Sequence, residues 1–376
     1  MGTLVRALGL MSGTSLDGID VALIDTDGES TVRRGPAMTF PYTAEMRGRL
    51  VDAMADARLI RKRVERPGML AVVERELTEQ HAAAVAAFLR KQAIPRSAID
   101  VLGFHGQTVL HRPEAGLTVQ LGDGPLLSKL TGLRVVYDLR AADVAAGGQG
   151  APLVPAYHRA LATALPQRPL AVLNIGGVAN VTWIGRGGIG REGYHGDGEL
   201  LAFDTGPGNA LLDDLMMRHT GTPCDKDGAT AARGRVHDDV VKFYLSHSFF
   251  STPPPKSLDR GAFARELVDG LSVEDGAATL TAFTVEAIAR SRELMPEQPA
   301  LWIVCGGGRR NHTLMSMLAG RVENAVVPAE AVGFDGDSME AEAWAYLAVR
   351  ATKRLDISFP GTTGVAKAMT GGKVAG

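Results

Sequence analysis

Cysteine is almost missing from this chain. Its 376 residues hold two, Cys224 and Cys305, far apart and without neighbouring ligand pairs, which excludes a disulfide framework or a zinc ribbon and fits a reducing compartment. Aromatic residues are sparse at 5%. No stretch approaches the roughly 20 consecutive apolar residues that a membrane span requires. Charge of one sign is also lacking: 40 Lys and Arg against 42 Asp and Glu leave a formal net charge of −2, too small a bias to draw in nucleic acid or an anionic membrane. The N-terminal MGTLVRALGLMSGTS has no long apolar segment followed by a small-residue cleavage site, so no secretion signal is expected and a cytoplasmic protein is. No GxGxxG follows the first apolar run with an acidic residue about 20 positions on, which argues against a dinucleotide oxidoreductase.

What is abundant is glycine, 45 residues in short runs without a period, the pattern of loops whose backbone lines a ligand. Length suits two domains, which usually run roughly 100 to 200 residues each. Leu4 to Leu10 and Val21 to Ile24 are apolar runs flanking a polar turn, and Leu170 onward repeats that strand, loop, strand grammar around Gly176-Gly177. Residues from Tyr42 to about Lys91 read as helical, closed by Ile94-Pro95. Val101 to Phe104 reads as a buried strand delivering His105, Gly106 and Gln107 at its carboxyl end, and Val135 to Tyr137 as one delivering Asp138 and Arg140. Ala145 to Pro155, small and glycine-rich, is the candidate crossing between lobes. Gly185 to Gly198 reads as a glycine-laden surface insertion. Asn209 to His219 carries leucine and methionine at helical spacing, with Gly221 closing it, and Ser338 to Leu355 is a strong helix. These patterns predict a two-lobed α/β protein.

Several short segments carry chemistry. Gly9 to Asp20, GLMSGTSLDGID, places hydroxyls and glycines at a strand-to-strand turn whose freed N–H groups can wrap phosphate oxygens, or simply make a hairpin. Ala202 to Asn209, AFDTGPGN, sets Asp204 at the end of an apolar strand before a stiff Gly-Pro-Gly turn and a helix start, which makes Asp204 either a candidate base or a capping residue. Val304 to Asn311, VCGGGRRN, suits a flat ring or ribose lying against backbone. His105, Gln107, His111 and Arg112 offer hydrogen bonds to a polyhydroxylated ligand. Arg140, near Asp143, can grip a carboxylate in bidentate fashion or form a surface salt bridge. Thr252 to Phe263 opens with three prolines before Lys256, Ser257 and Arg260 and reads as a rigid loop.

GLMSGTSLDGID, HGQTVLHRP, DVAAGGQGAPLVP, NIGGVANVT, FDTGPGN, PPPKS and MEAEAWAYLA, in that order along nearly the whole chain, resemble the anhydro-N-acetylmuramic acid kinase family of the sugar kinase, Hsp70 and actin superfamily. The resemblance implies an α/β, two-lobed ribonuclease-H-like (actin-like ATPase) fold with an interlobe cleft. The expected lobes are residues 1–140, with the helix at about 338–355 packing at the lobe junction, and residues 141–376. It implies ATP and Mg2+ as cofactors, a small sugar as substrate, no nucleic acid or membrane partner, and a homodimer.

Carried over to this chain, the resemblance implies Asp204 as catalytic base. Gly13, Thr14, Ser15, Leu16, Asp17, Gly18, Ile19 and Asp20 would form a first ATP loop, and Gly176, Gly206, Gly208 and Asn209 a second. Gly306, Gly307, Gly308 and Asn311 would flank adenosine, while Ser12, His105, Gln107, Arg140 and Glu340 would face the sugar. The superfamily's usual aspartate at the end of the first strand is replaced here by Met11-Ser12, leaving Asp17 or Asp20 to hold the metal through water. The implied activity is ATP-dependent opening of 1,6-anhydro-N-acetylmuramic acid to its 6-phosphate. A plain sugar kinase of the same fold and a non-catalytic sugar-binding regulator are the alternatives.

Overall fold

The computed structural model describes residues 2–13, 15–187, 199–259, 261–264 and 266–376. In chain order, β1 (Val5–Ser12), β2 (Gly18–Thr26) and β3 (Val32–Pro41) lead into α1 (Ala44–Asp56) and α2 (Leu70–Lys91). Then come β4 (Val101–Arg112), β5 (Leu117–Leu121), α3 (Gly124–Thr131), β6 (Val135–Tyr137), α4 (Ala141–Ala145) and α5 (Pro155–Ala162). β7 (Leu170–Ile175), β8 (Val178–Ile184), β9 (Leu200–Pro207), α6 (Ala210–Thr220) and α7 (Asp238–Leu245) follow. α8 (Val273–Arg290), β10 (Leu301–Cys305), α9 (His312–Val322), β11 (Ala325–Pro328), α10 (Met339–Thr352), α11 (Pro360–Thr363) and β12 (Lys373–Ala375) complete the chain.

Two compact units result, Met1–Ala164 with Ser338–Gly376, and Leu165–Asp337. The first holds a sheet ordered β12-β6-β4-β1-β2-β3, with β5 added to β4, and the second a sheet ordered β11-β10-β7-β8-β9. Each has three antiparallel strands joined to a parallel extension, the arrangement expected of a ribonuclease-H-like α/β unit.

The division differs from that expected at residues 140/141. Arg140 donates to Gly150 O at 2.8 Å, and Gln149 N–H to Thr363 O at 2.7 Å. The Asp143 carboxylate, 2% exposed, accepts from Gly150 N–H at 2.5 Å and from Thr363 Oγ at 2.6 Å. These bonds keep residues 141–150 in the first unit, so Ala145 to Pro155 is not the crossing. The tail also returns there, with β12 pairing antiparallel to β6.

β4 is likewise longer than its apolar run. It pairs in parallel with β1 to Phe104 and, after a register shift, again at Gln107 opposite Ser12, turns at Gly106 (φ 71°), and continues to Arg112 as one arm of a hairpin with β5. His105 and Gln107 therefore lie inside a strand rather than beyond its end. The predicted helix from Tyr42 is broken into α1 and α2, where Pro67-Gly68 interrupts the pattern and Asp56 accepts Met69 N–H at 2.9 Å. Of the expected insertion at Gly185 to Gly198, residues 188–198 lie outside the described residues, as does Arg260.

Alternation along β1 explains the packing of the first unit. Leu8 and Leu10, both fully buried, join Phe88 of α2 and Phe104 in one core, while Gly9 faces the other way. There α10 lies against bare backbone: a Cβ on Gly9 would stand 1.8 Å from Ala341 O, and one on Gly103 2.0 Å from Trp344 O. In the second unit α8 is buried nearly all round. It packs against Trp302 and Leu318 in one cluster and against Tyr244 and Leu215 in another, with the Tyr244 and Phe283 rings stacked at 4.4 Å. Gly103→Ala, which must push α10 off the sheet, is expected to cost about 3 kcal/mol in urea unfolding. A loss under about 0.5 kcal/mol would contradict the close approach.

Candidate active site

Two constellations emerge, one in each unit. In the first, Ser12 ends β1 with 1% exposure; its hydroxyl donates to Gln107 Oε1 at 2.7 Å and Gln107 Nε2 donates to Gly13 O at 3.1 Å. Arg140 donates from Nε and Nη2 to His105 Nε2 at 3.2 and 3.1 Å. A guanidinium has no acceptor, so His105 Nε2 carries the lone pair and the ring proton sits on Nδ1. Trp344 of α10 underlies both groups, its ring 4.5 Å from the His105 ring and 5.0 Å from the guanidinium carbon. Burial, and then Arg140, hold the His105 imidazole neutral, well below its usual titration range. Burial also pushes Arg140 down to about 10 against the opposing pull of Glu340 and Asp143.

Arg140 is thus not a surface salt bridge but a half-buried, oriented cation. Glu340, in the first turn of α10, keeps solvent access although protein crowds it; that crowding raises its pKa, Arg140 lowers it, and Asp20 and Asp17 add to the rise. Ser12, Gln107, His105 and Arg140 are brought together, though Ser12 and Gln107, at 1% and 0% exposure, are closed off from solvent. Trp344 was not singled out from sequence, where it reads as one aromatic of a helix.

The turn from Gly13 to Asp20 is only partly free for a ligand. Leu16 (φ 57°) and Ile19 send their side chains into the core, at 7% and 2% exposure, so only their backbone can face phosphate. Ser15 Oγ donates to Asp17 Oδ1 at 2.8 Å, and Thr39 Oγ1 to Asp20 Oδ1 at 2.5 Å. Gly18 lies in β2, and Thr14 falls outside the described residues. Among the described residues no group of three or more His, Cys, Asp or Glu side chains is placed to hold a metal ion.

In the second unit the glycine-rich segments converge. Gly208 N–H donates to Gly177 O at 2.9 Å, Asn209 N–H to Gly176 O at 2.7 Å, and Asn209 Nδ2 to Ile175 O at 3.1 Å. A Cβ on Gly208 would stand 2.2 Å from Gly176 O, so that contact admits only glycine. Gly306, with φ 74°, turns the chain after β10, and Gly307 and Gly308 pass beside the same β7–β8 turn. Asn311 caps α9 through Leu314 N–H at 2.9 Å. The loop at Gly228 packs beside it, tied by Thr313 Oγ1 to Gly228 O at 2.8 Å. Sequence reading missed that loop, whose one signal was the turn-forming DKDG at Asp225 to Gly228.

Asp204 sits within β9, three residues before its end, between Phe203 and Thr205, while Gly206 (φ 155°) follows. Its N–H donates to Lys256 O at 3.0 Å, and its Oδ2 accepts Leu258 N–H at 2.7 Å. Oδ1 takes no hydrogen bond among the described residues. Burial pushes the carboxyl up to about 6, against the Leu258 N–H and the Lys256 charge, both of which favour the ionised form. It is not a helix cap; it is a part-buried carboxylate with one oxygen tied and the other without a hydrogen bond among the described residues.

A sequence profile of the anhydro-N-acetylmuramic acid kinase family matches residues 5–375. The chain belongs to that family. It is 52% identical over 378 residues to the anhydro-N-acetylmuramic acid kinase of Rhizobium etli, covering 100% of each chain. It is 54% identical over 375 residues to that of Azorhizobium caulinodans, covering 98% of each. Among solved structures, component A of (R)-2-hydroxyglutaryl-CoA dehydratase from Acidaminococcus fermentans aligns with 93% of this chain and 100% of its own, at 10% identity and a TM-score of 0.47, a likeness too distant to bear on function. Family membership makes the chain a kinase. No helix among the described residues is long and apolar enough to cross a membrane.

A carboxyl whose folded pKa is raised binds its proton more tightly in the native state. Its ionisation therefore subtracts stability as pH rises from the unfolded value, about 3.9, through about 6. Asp204→Asn is accordingly expected to keep or raise Tm at pH 7.5, and a fall of more than about 5 °C would contradict this electrostatic reading.

Proposed function

We propose that this kinase opens the 1,6-anhydro bridge of anhydro-N-acetylmuramic acid with water and phosphorylates the freed O6 from ATP. The products are N-acetylmuramic acid 6-phosphate and ADP. The observation that carries this reading is the Asp204 carboxylate, part-buried, raised to about 6 and with no hydrogen bond to Oδ1 among the described residues. Oδ1 takes a proton from water as the water oxygen bonds to C1. The C1–O6 bond breaks, and O6 attacks the γ-phosphorus as the bond to the ADP oxygen opens. One base thereby serves two bond changes, and its proton returns to solvent.

Arg140, oriented by His105 and Trp344, is suited to grip the lactyl carboxylate in bidentate fashion. Glu340, which keeps solvent access, would offer a further hydrogen bond to the sugar, whereas Ser12 and Gln107, buried and bonded to each other, would brace the backbone at Gly13 rather than touch the sugar with their side chains. The family resemblance implies phosphate contacts from the turn at Gly13 to Asp20 in the first unit and from the loops carrying Gly176, Gly206, Gly208 and Asn209 in the second. Gly306 to Gly308 and Asn311 would take the adenosine. Asp17 and Asp20 suit Mg2+, which commonly binds one or two carboxylates while keeping its waters and phosphate oxygens. The ion would neutralise phosphate charge. The setting proposed is cytoplasmic recycling of cell-wall amino sugars by a homodimer.

The base must be ionised, so activity is expected to rise with pH through about 6 and level off above it. Asp204→Asn should lower kcat by about 10² to 10⁴-fold, the scale of general-base removal, with the fold intact. A near-native rate rejects the assignment. Supplying ATP with anhydro sugar and with open N-acetylmuramic acid separately distinguishes this reading from a plain sugar kinase, which would turn over only the open form.

A further inference from the structure

Asp204 is held from outside its own sheet by residues 256–258. Lys256 O accepts its N–H, and Leu258 N–H fixes Oδ2, so this segment lies along β9 as a short strap. Pro253, Pro254 and Pro255 before it have no N–H with which to anchor a ladder. The anchor is a side chain instead. Lys256 Nζ donates to Phe249 O at 3.0 Å and lies 4.3 Å from the Phe249 ring centre. It also stands 6.0 Å from the ring of Phe203, the neighbour of Asp204 in β9. Phe249 is itself buried, packed edge-on to Phe250 at 5.4 Å, so the ammonium is seated on a fixed support.

We propose that Lys256 is a positioning residue for the catalytic carboxylate: its ammonium, seated on Phe249, holds the strap against β9 so that Leu258 N–H fixes Asp204 Oδ2 and leaves Oδ1 for water. The proposal rests on the reading of Asp204 as the base. Among the described residues the charged group that bears on this carboxylate is Lys256 on the strap; Arg290 at the end of α8, 5.9 Å from the Phe250 ring, bears on the ammonium instead, and burial together with that charge brings Lys256 down to about 8. The residue opposite Asp204 on β8 is the uncharged Asn180.

Losing the ammonium would act twice in one direction. It removes a charge that favours ionised Asp204, and it slackens the strap that delivers the Leu258 N–H. Both raise the pH at which the base loses its proton.

The test is the pH dependence of kcat/KM for wild type, Lys256→Met, Lys256→Gln and Lys256→Arg in the full-length enzyme. In Lys256→Met the acid limb is expected to move up by about one pH unit, a loss of about fivefold at pH 6 that approaches tenfold below pH 5 and fades by about pH 8.5. Lys256→Arg, which keeps a charged donor over Phe249, should hold the limb within about 0.3 unit of wild type. Lys256→Gln, with a donor but no charge, should move it upward as Met does, and its result decides the matter should the Met variant not fold. A limb that stays in place in the uncharged variants, whether or not kcat falls evenly at all pH values, overturns the positioning role. Asp204→Asn separates the two failures: an inactive variant with an unmoved Lys256 limb sinks only this inference, whereas an active one sinks the base itself.

Discussion

The hydrogen bond from Leu258 N–H to Asp204 Oδ2, 2.7 Å long, is the constraint on which the rest of the account depends. A carboxylate placed in β9 beside Phe203 loses hydration, and that loss alone drives it toward its neutral form. One backbone donor and one nearby ammonium pull the other way, and the balance falls at about 6. A weaker donor would leave a protonated acid at neutral pH, and stronger pairing a carboxylate too weakly basic to take a proton from water. The same bond fixes the rotamer, since an oxygen tied to the strap leaves its partner with a defined direction.

In the first unit a cation is oriented without a carboxylate bonded to it, as the proposed grip on a substrate's anion would need. Gly9 and Gly103 bare the sheet so that α10 can approach on its backbone, and this brings Trp344 under Arg140 and His105. His105 accepts from the guanidinium and Gly150 O takes a third N–H, so the cation is held by neutral acceptors. Its charge stays available. A carboxylate in the place of His105 would hold the guanidinium as firmly but would compete with a substrate anion.

Much of this was legible in sequence where local pattern and local chemistry agree. β1 and β2, β7 and β8, the helix closed by Gly221 and the late helix at Met339 follow from apolar runs and their punctuation. Asp204, Arg140, His105 and Gln107 stood out because polar residues ended apolar strands. What could not be read depends on contacts distant along the chain. β4 runs on past His105 because β5 offers a partner, and the return of β12 to β6 needs pairing across more than half the sequence. Asp143 is buried only because Thr363 and Gly150 reach it. Lys256 read as part of a stiff loop because nothing in PPPKS tells where its ammonium will settle.

The most direct measurement is mass spectrometry of the phosphorylated sugar made from the anhydro substrate and ATP in heavy-oxygen water. Activation of water by Asp204 against C1 predicts one solvent oxygen in the product at the earliest times, at C1 rather than in the phosphate. A phosphorylated product free of solvent oxygen would contradict the account.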